Sequence, residues 1–314
     1  MSTRRSFIKK SAATLSAPLI LPNSDVFSLF KTAPSDQINV GVIGTGSRGQ
    51  GLMRILNKIE GINLIAICDT LPFRIEAAAQ IAPKASKYKN HKALLSHKGL
   101  DAVIISSPLN THAAIASDAI DASVHIYCEK TMVKGDQDTL DLVNKVEKEH
   151  TKIFQTGHQY HSSRLYSHVV EIIQGGEIGK VSSVQAQWNR NGNWRRAVPD
   201  PKFERQVNWR MYREYSYGLT AELSSHQIDF CNWLLQATPK KVTGFGGIDY
   251  WKDGRETYDN THLIYTYPKG VKATFTCLTS NAKDDYLIKV LGDKGTVIID
   301  YQNAWKYPEG KYDK

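Results

Sequence analysis

Between residues 38 and 156 the chain alternates short apolar runs with amphipathic stretches. The runs 38–43, 62–68, 102–107, 124–128 and 152–156 each hold neighbouring apolar residues, as in Leu64-Ile65-Ala66-Ile67 and Ala102-Val103-Ile104-Ile105, rather than a strict alternation. That is the pattern of strands buried on both faces. The stretches 49–58, 72–81, 113–122 and 136–149 show helical spacing. Strands and helices in strict alternation predict an α/β fold, an N-terminal Rossmann-type doubly wound parallel sheet.

The pattern changes after residue 156. A helix is predicted over 163–174, carrying Val169, Val170, Ile172 and Ile173 and stopping at Gly175-Gly176. A strand over 181–188 opens a long polar and aromatic loop, and a second helix runs from 218 to 235. Alternating strands then follow over 241–246, 260–267, 271–279, 286–291 and 295–299, separated by turns such as Pro268-Lys269-Gly270 and Gly292-Asp293-Lys294-Gly295. These predict a C-terminal α+β domain with an open, mainly antiparallel sheet. The expected organisation is a leader over 1–33, a nucleotide-binding domain over 34–156 and a second domain over 157–314.

Charge and cysteine content narrow the functional classes. The formal net charge is +9 over 314 residues, and Arg4, Arg5, Lys9, Lys10 and Lys31 against Asp25 place +4 of it in the leader. The remaining +5 is spread without dense Lys or Arg runs, which argues against nucleic acid as a partner. The leader itself, Thr3-Arg4-Arg5-Ser6-Phe7-Ile8-Lys9-Lys10 followed by an apolar run from Ala12 to Leu21, resembles a twin-arginine export signal. Ser16 and Pro18 interrupt the run, which is too short for a stable membrane span. Periplasmic export of a folded, loaded protein is the expectation, with the cofactor held tightly. Cys68, Cys128, Cys231 and Cys277 are widely spaced within or beside apolar segments, so buried free thiols are expected and no disulfide or cysteine metal site.

Candidate chemistry begins where the first strand ends, in Gly44-Thr45-Gly46-Ser47-Arg48-Gly49. A G-x-G-x-x-G turn between strand and helix holds a dinucleotide pyrophosphate. Gly44 permits the sharp turn, Gly46 lets backbone approach phosphate, and Gly49 lets the helix pack closely, while Ser47 and Arg48 open the helix whose N-terminus faces the anion. The second strand ends in Asp69, the acid expected on the adenosine ribose hydroxyls. Its charge repels a ribose phosphate and favours NAD over NADP, although Arg74 lies close in sequence.

Further strand ends face the same crevice. Ser107, Pro108 and Asn110 are candidate cofactor-edge residues, and His112 either joins them or simply opens the next helix. Glu129-Lys130 ends the fourth strand and delivers two charges to the crevice. Past the fifth strand, Gln159 and Tyr160 are candidate substrate contacts. His158 and His161 stand three apart without a third ligand at a supporting spacing, so no metal is expected. In the long loop, Trp188, Trp194, Arg195, Trp209 and Arg210 combine flat rings with guanidinium donors, a set suited to the apolar face and hydroxyl rim of a sugar. In 218–235, Glu222, His226 and Asp229 at i, i+4 and i+7 are expected on one helix face, where two carboxylates would raise the histidine's pKa and fix its tautomer.

The segments GTGSRG, CDT, SSPLNTHAAIA and HIYCEKT together resemble the Gfo/Idh/MocA family of oxidoreductases, and the similarity spans nearly all of 38–300. The resemblance implies that Lys130 approaches nicotinamide and substrate, and that His226 is catalytic with Glu222 standing where the family has aspartate. It also implies a homo-oligomer formed through the C-terminal sheet, and because the family usually adds further helix and strand after the point where this sequence ends at Lys314, either a short member or a fragment is expected. Thr131 replaces the family's usual proline. The resulting expectation is an NAD-dependent dehydrogenase acting on a secondary hydroxyl of a sugar or glycoside, such as C3 of a pyranose. A glycosidase working through transient oxidation and a non-enzymatic nucleotide or sugar sensor are the alternatives.

Overall fold

Consecutive apolar positions produce a sheet covered on both sides. In the computed structural model, which describes residues 37–149 and 151–310, β1 (Ile38–Ile43), β2 (Ile62–Cys68), β3 (Ser86–Tyr88), β4 (Ala102–Ile105), β5 (His125–Cys128) and β6 (Phe154–Thr156) form one sheet in the order β3-β2-β1-β4-β5-β6. Every adjacent pair is parallel. The order reverses at β1 and β4, which is where such sheets bind nucleotides. Successive residues feed different cores: Ile43, Val103 and Ile105 join one buried cluster, Val42, Ile67 and Ile104 the other.

The connecting helices are α1 (Ser47–Leu56), α2 (Pro72–Ile81), α3 (His91–Leu95), α4 (His112–Asp121) and α5 (Asp136–Glu149). Pro72 stands in the first turn of α2, where a missing N–H costs nothing. Asn90 caps α3, its side chain accepting from the amides of Lys92 and Ala93. Neither β3 nor α3 was expected from the sequence; each is too short to carry a period.

The second sheet has seven strands in the order β13-β12-β11-β7-β10-β9-β8, where β7 is Val181–Asn191, β8 Lys241–Gly247, β9 Asn260–Thr266, β10 Lys272–Leu278, β11 Ser280–Gly292, β12 Gly295–Ile299 and β13 Ala304–Pro308. All pairs are antiparallel except β7 with β10. Period-two alternation places Val184, Ala186 and Trp188, with Ala273, Phe275 and Cys277, and Tyr286, Ile288 and Val290, in one buried cluster. Tyr166, Val169, Val170 and Ile173 of α6 (Arg164–Gln174) and Phe230, Cys231 and Leu234 of α7 (Ser225–Leu235) belong to the same cluster.

The predicted helix over 218–235 is corrected in its first half. Thr220–Ser224 form a π-helical turn, and α7 starts only at Ser225. The twin-arginine leader lies outside the described residues, and so do the last four positions, 311–314. Among the described residues no helix is long and apolar enough to cross a membrane. All four cysteines are buried and free.

Candidate active site

The glycine turn has the geometry that a dinucleotide requires. Gly44 has φ +90, and a Cβ there would stand 2.4 Å from the Ser107 nitrogen. One on Gly49 would stand 2.1 Å from the Gly44 oxygen, so neither position admits a side chain. Ser106 Oγ donates to the Gly44 oxygen at 2.6 Å and fastens β4 to the turn. Gly46 precedes α1 with no side-chain cap, leaving the first amides of the helix for an anion. Asp69, at the end of β2, accepts from the Thr45 amide at 2.8 Å and the Leu71 amide at 3.0 Å, which fixes the carboxylate beside the turn.

The ends of β4, β5 and β7, the loop after β7, the π turn and α7 converge on a cavity of about 230 Å³. Among the expected site residues its wall includes Arg48, Ser107, His112, Glu129, Lys130, Gln159, Trp188, Trp194, Trp209, Arg210, Glu222 and His226. A second, more open cavity of about 380 Å³ shares Arg190 and Trp194 with it.

Lys130 is the best-tethered group. Its Nζ donates to the Glu222 main-chain oxygen at 2.7 Å and lies 3.9 Å from the Glu222 carboxylate. Thr131, reached through a cis peptide bond, donates its Oγ1 to the neighbouring Ala221 oxygen at 2.9 Å. Two consecutive side chains thus hold two consecutive carbonyls of the π turn. Burial lowers the Lys130 pKa and Arg210 lowers it further, against the opposing charge of Glu222.

Glu222 is 6 % exposed and fully engaged. Oε2 accepts from Arg210 Nε at 2.9 Å and Oε1 from Ser216 Oγ at 3.0 Å. Burial pushes its carboxyl up, but Arg210, Lys130 and the Ser216 hydroxyl outweigh that together, leaving it below the usual carboxylate range. In the same wall Arg48 donates to Glu129 at 2.6 Å.

His226 corrects the expectation of a base raised by two carboxylates. Glu222 faces Lys130 and Arg210, while Asp229 turns away to His161, 2.8 Å from its Nε2. The ring is instead surrounded by Trp188, Tyr160 and His158 at centroid distances of 5.4, 5.4 and 5.9 Å. Burial first, then the charges of Lys130, His158 and Arg48, push its pKa down to about 2, so the ring is neutral, and its buried Nδ1 has no hydrogen-bond partner among the described residues. The π turn breaks the α-helical phase that i, i+4 spacing assumes between Glu222 and His226.

Other expected residues fall elsewhere. Arg195 turns from the cavity to Asp253 and Glu204, and the adjacent Arg196, not singled out from the sequence, takes its place in the wall. His112 is buried with Nδ1 and Nε2 each 3.0 Å from a main-chain oxygen, those of Thr131 and Ser107, so it ties the β4 exit to the Lys130 segment. Pro108 opens the turn Leu109–Thr111 and Asn110 is exposed on it. Tyr160 stacks on Tyr166 at 4.3 Å and presents an edge to His226. Among the described residues no group of three or more potential ligands could hold a metal ion.

Comparison with known proteins fits this architecture. Residues 38–158 match an oxidoreductase family's NAD-binding Rossmann fold, and residues 166–298 match the Gfo/Idh/MocA C-terminal domain. Inositol 2-dehydrogenase of Salmonella typhimurium is 27 % identical over 207 residues, 65 % of this chain and 56 % of that enzyme, so the match spans little more than half of the relative's length. The 2,7-anhydro-N-acetylneuraminate hydratase of Escherichia coli is 27 % identical over 85 % of this chain and 68 % of its own. Among solved structures, the WlbA dehydrogenase of Bordetella pertussis, in complex with NADH and UDP-GlcNAcA, superposes with TM-score 0.73 at 19 % identity, covering 88 % of this chain and 84 % of that one. With a six-stranded NAD-binding Rossmann sheet in front and this C-terminal domain behind, the chain belongs to the Gfo/Idh/MocA family.

Proposed function

We propose that this protein is an exported, NAD-dependent oxidoreductase exchanging a hydride between a secondary hydroxyl of a sugar or glycoside and a tightly held nicotinamide. The observation that carries this reading is the convergence of Lys130 and His226 on one cavity that also reaches Arg48 and Ser106 beside the glycine turn. Trp188, Trp194 and Trp209 give that cavity flat apolar walls, and Gln159 and the guanidinium groups give it donors, a combination suited to a sugar ring. Relatives named for a cyclic polyol and an anhydro sugar point the same way.

The bound nicotinamide supplies the hydride acceptor. Gly44, Gly46, Ser47 and Asp69 would hold the dinucleotide, and the chain's side chains manage the proton and the charge. Lys130, as ammonium, donates to the reacting oxygen and stabilises negative charge as it develops there. His226, already neutral, accepts the hydroxyl proton. The positive charge of Lys130 depresses the histidine's basicity at rest. An alkoxide forming between the two offsets that charge, so the ring becomes a better base as the O–H bond breaks. C3 of a pyranose is the hydroxyl we favour.

Export rests on the leader sequence. A homo-oligomer through the second sheet draws support from its exposed apolar side chains, with Phe245 86 % and Val242 60 % exposed.

The test is to denature the purified protein, identify released nucleotide, and follow nicotinamide absorbance of the intact protein while sugars and glycosides are screened. Co-purified NAD reduced by a glycoside is the expected result. Sugar release without net NADH would replace this reading with an oxidative glycosidase. Tight sugar binding with no absorbance change would leave a sensor.

A further inference from the structure

The loop after β7 reaches back onto the nucleotide-binding half at two places. Phe203 packs on Phe73 at the start of α2 with centroids 5.5 Å apart, and Arg196 Nη1 donates to Ser47 Oγ in the glycine turn. Arg196 is held for that reach by Asn208, which is 4 % exposed. The Asn208 Oδ1 accepts from the Arg196 amide at 2.7 Å and its Nδ2 donates to the Arg196 oxygen at 3.0 Å. A buried amide spent on both polar groups of one residue fixes the loop there, so the arginine arrives on a braced main chain.

A second guanidinium meets it. Arg74, from the first turn of α2, stands 3.5 Å from where a Cβ on Gly46 would lie. Arg48 is paired with Glu129 and Arg210 with Glu222, but among the described residues no carboxylate forms a salt bridge with Arg74 or Arg196. Burial lowers both pKa values; Arg210 lowers that of Arg196 further, while Arg74 feels the opposing charge of Asp69 as well as the like charges of Arg196 and Arg210. Cations crowded over uncapped helix amides, Arg74 near Asp69 but neither guanidinium bound in a salt bridge, are complementary to an anion of more than one charge.

We propose that Arg196, with Arg74, closes over the diphosphate of the bound dinucleotide and presses it against the glycine turn, making the nucleotide a resident group. This rests on the NAD-binding fold and not on the sugar reading. A diphosphate bridges Gly46, the α1 amides and both guanidinium groups, and it leaves only when the braced loop lifts.

The experiment loads the full chain with NADH or NADPH and follows release by fluorescence on dilution into excess unlabelled NAD. Arg196→Ala should speed NADH release by about 10- to 100-fold, the worth of one charge-assisted contact. Arg196→Lys, which keeps the charge but loses the fork, should fall between. Lys202→Ala, on the same loop but paired with Asp200, should leave the rate unchanged. Unaltered NADH release from the Arg196→Ala protein overturns the clamp. Faster release of NADPH alone also overturns it and assigns the guanidinium to a ribose phosphate. A wild-type chain that retains no NADH fails differently, by removing the nucleotide itself.

Discussion

The Lys130 ammonium is tied more closely to the backbone of Glu222 than to its charge: Nζ lies 2.7 Å from the main-chain oxygen and 3.9 Å from the carboxylate. A carbonyl takes one of three N–H donors, and the others remain for groups in the cavity. The position of the lysine is therefore set by a bond that proton transfer at the site does not disturb.

Replacing Lys130 with Met keeps the stem and removes the donor. We expect kcat for glycoside oxidation to fall by at least about 100-fold, the loss associated with one oxyanion donor. The nucleotide retained after purification should not change. Turnover within a few-fold of wild type, read by nicotinamide absorbance, would refute the assignment.

The pH profile should lack the acid limb of an ordinary histidine. His226 is neutral down to about pH 2. Lys130 must be protonated to polarise oxygen, and its pKa is lowered, so the rate should fall as pH rises through a value below the roughly 10.4 of free lysine. A rising limb near the free histidine value that vanishes in His226→Asn would count against a resting neutral base.

Glu222→Gln removes the counter-charge shared by Lys130 and Arg210. Without it the Lys130 pKa drops further, and the alkaline limb should move to lower pH. Lys130 and the part-exposed Arg210, left facing an amide, should also cost stability, at most about 3–5 kcal/mol. Denaturant midpoints and pH–rate curves of the same variant check both, and an unmoved limb would show that Glu222 does not act on Lys130.

Acid should destabilise the fold through its neutral histidines. Burial lowers the pKa of His112, His158 and His226, so the unfolded chain binds protons that the folded chain refuses. Their contribution is complete above about pH 6.5 and is lost as pH falls below it, at up to about 1.4 kcal/mol per pH unit for each ring. His226→Asn should flatten that slope by one histidine's share. Urea midpoints measured across the acid range would show it, and an unchanged slope would mean that His226 is already charged in the fold.

The parts legible in the sequence are those encoded locally. A glycine turn between an apolar strand and a helix, Asp69 at the next strand end and Glu129-Lys130 two strands later depend on periodicity and on backbone that only glycine adopts, so they could be placed without partners. Arg196 could not. It and Arg195 are neighbours in a loop with no repeat, and Asn208 together with Asp253 decides which one faces the cavity. The environment of His226 was hidden for the same reason: helical spacing predicted carboxylate neighbours, whereas Lys130, 92 residues before Glu222, reorganised them. The second sheet was readable strand by strand, but not the parallel placement of β7 beside β10, which joins residues about 90 positions apart.

The π turn at Thr220–Ser224 has one more consequence. It acts as a one-residue insertion, rotating the chain before the turn by about 100° around the helix axis relative to α7, with Glu222 inside the turn itself. The angle between the anchor of Lys130 and the His226 ring is thereby stored as a residue count rather than as a side-chain identity. A change of register, deleting a single residue from this turn, would re-aim the whole upstream segment in a way that no point substitution reproduces.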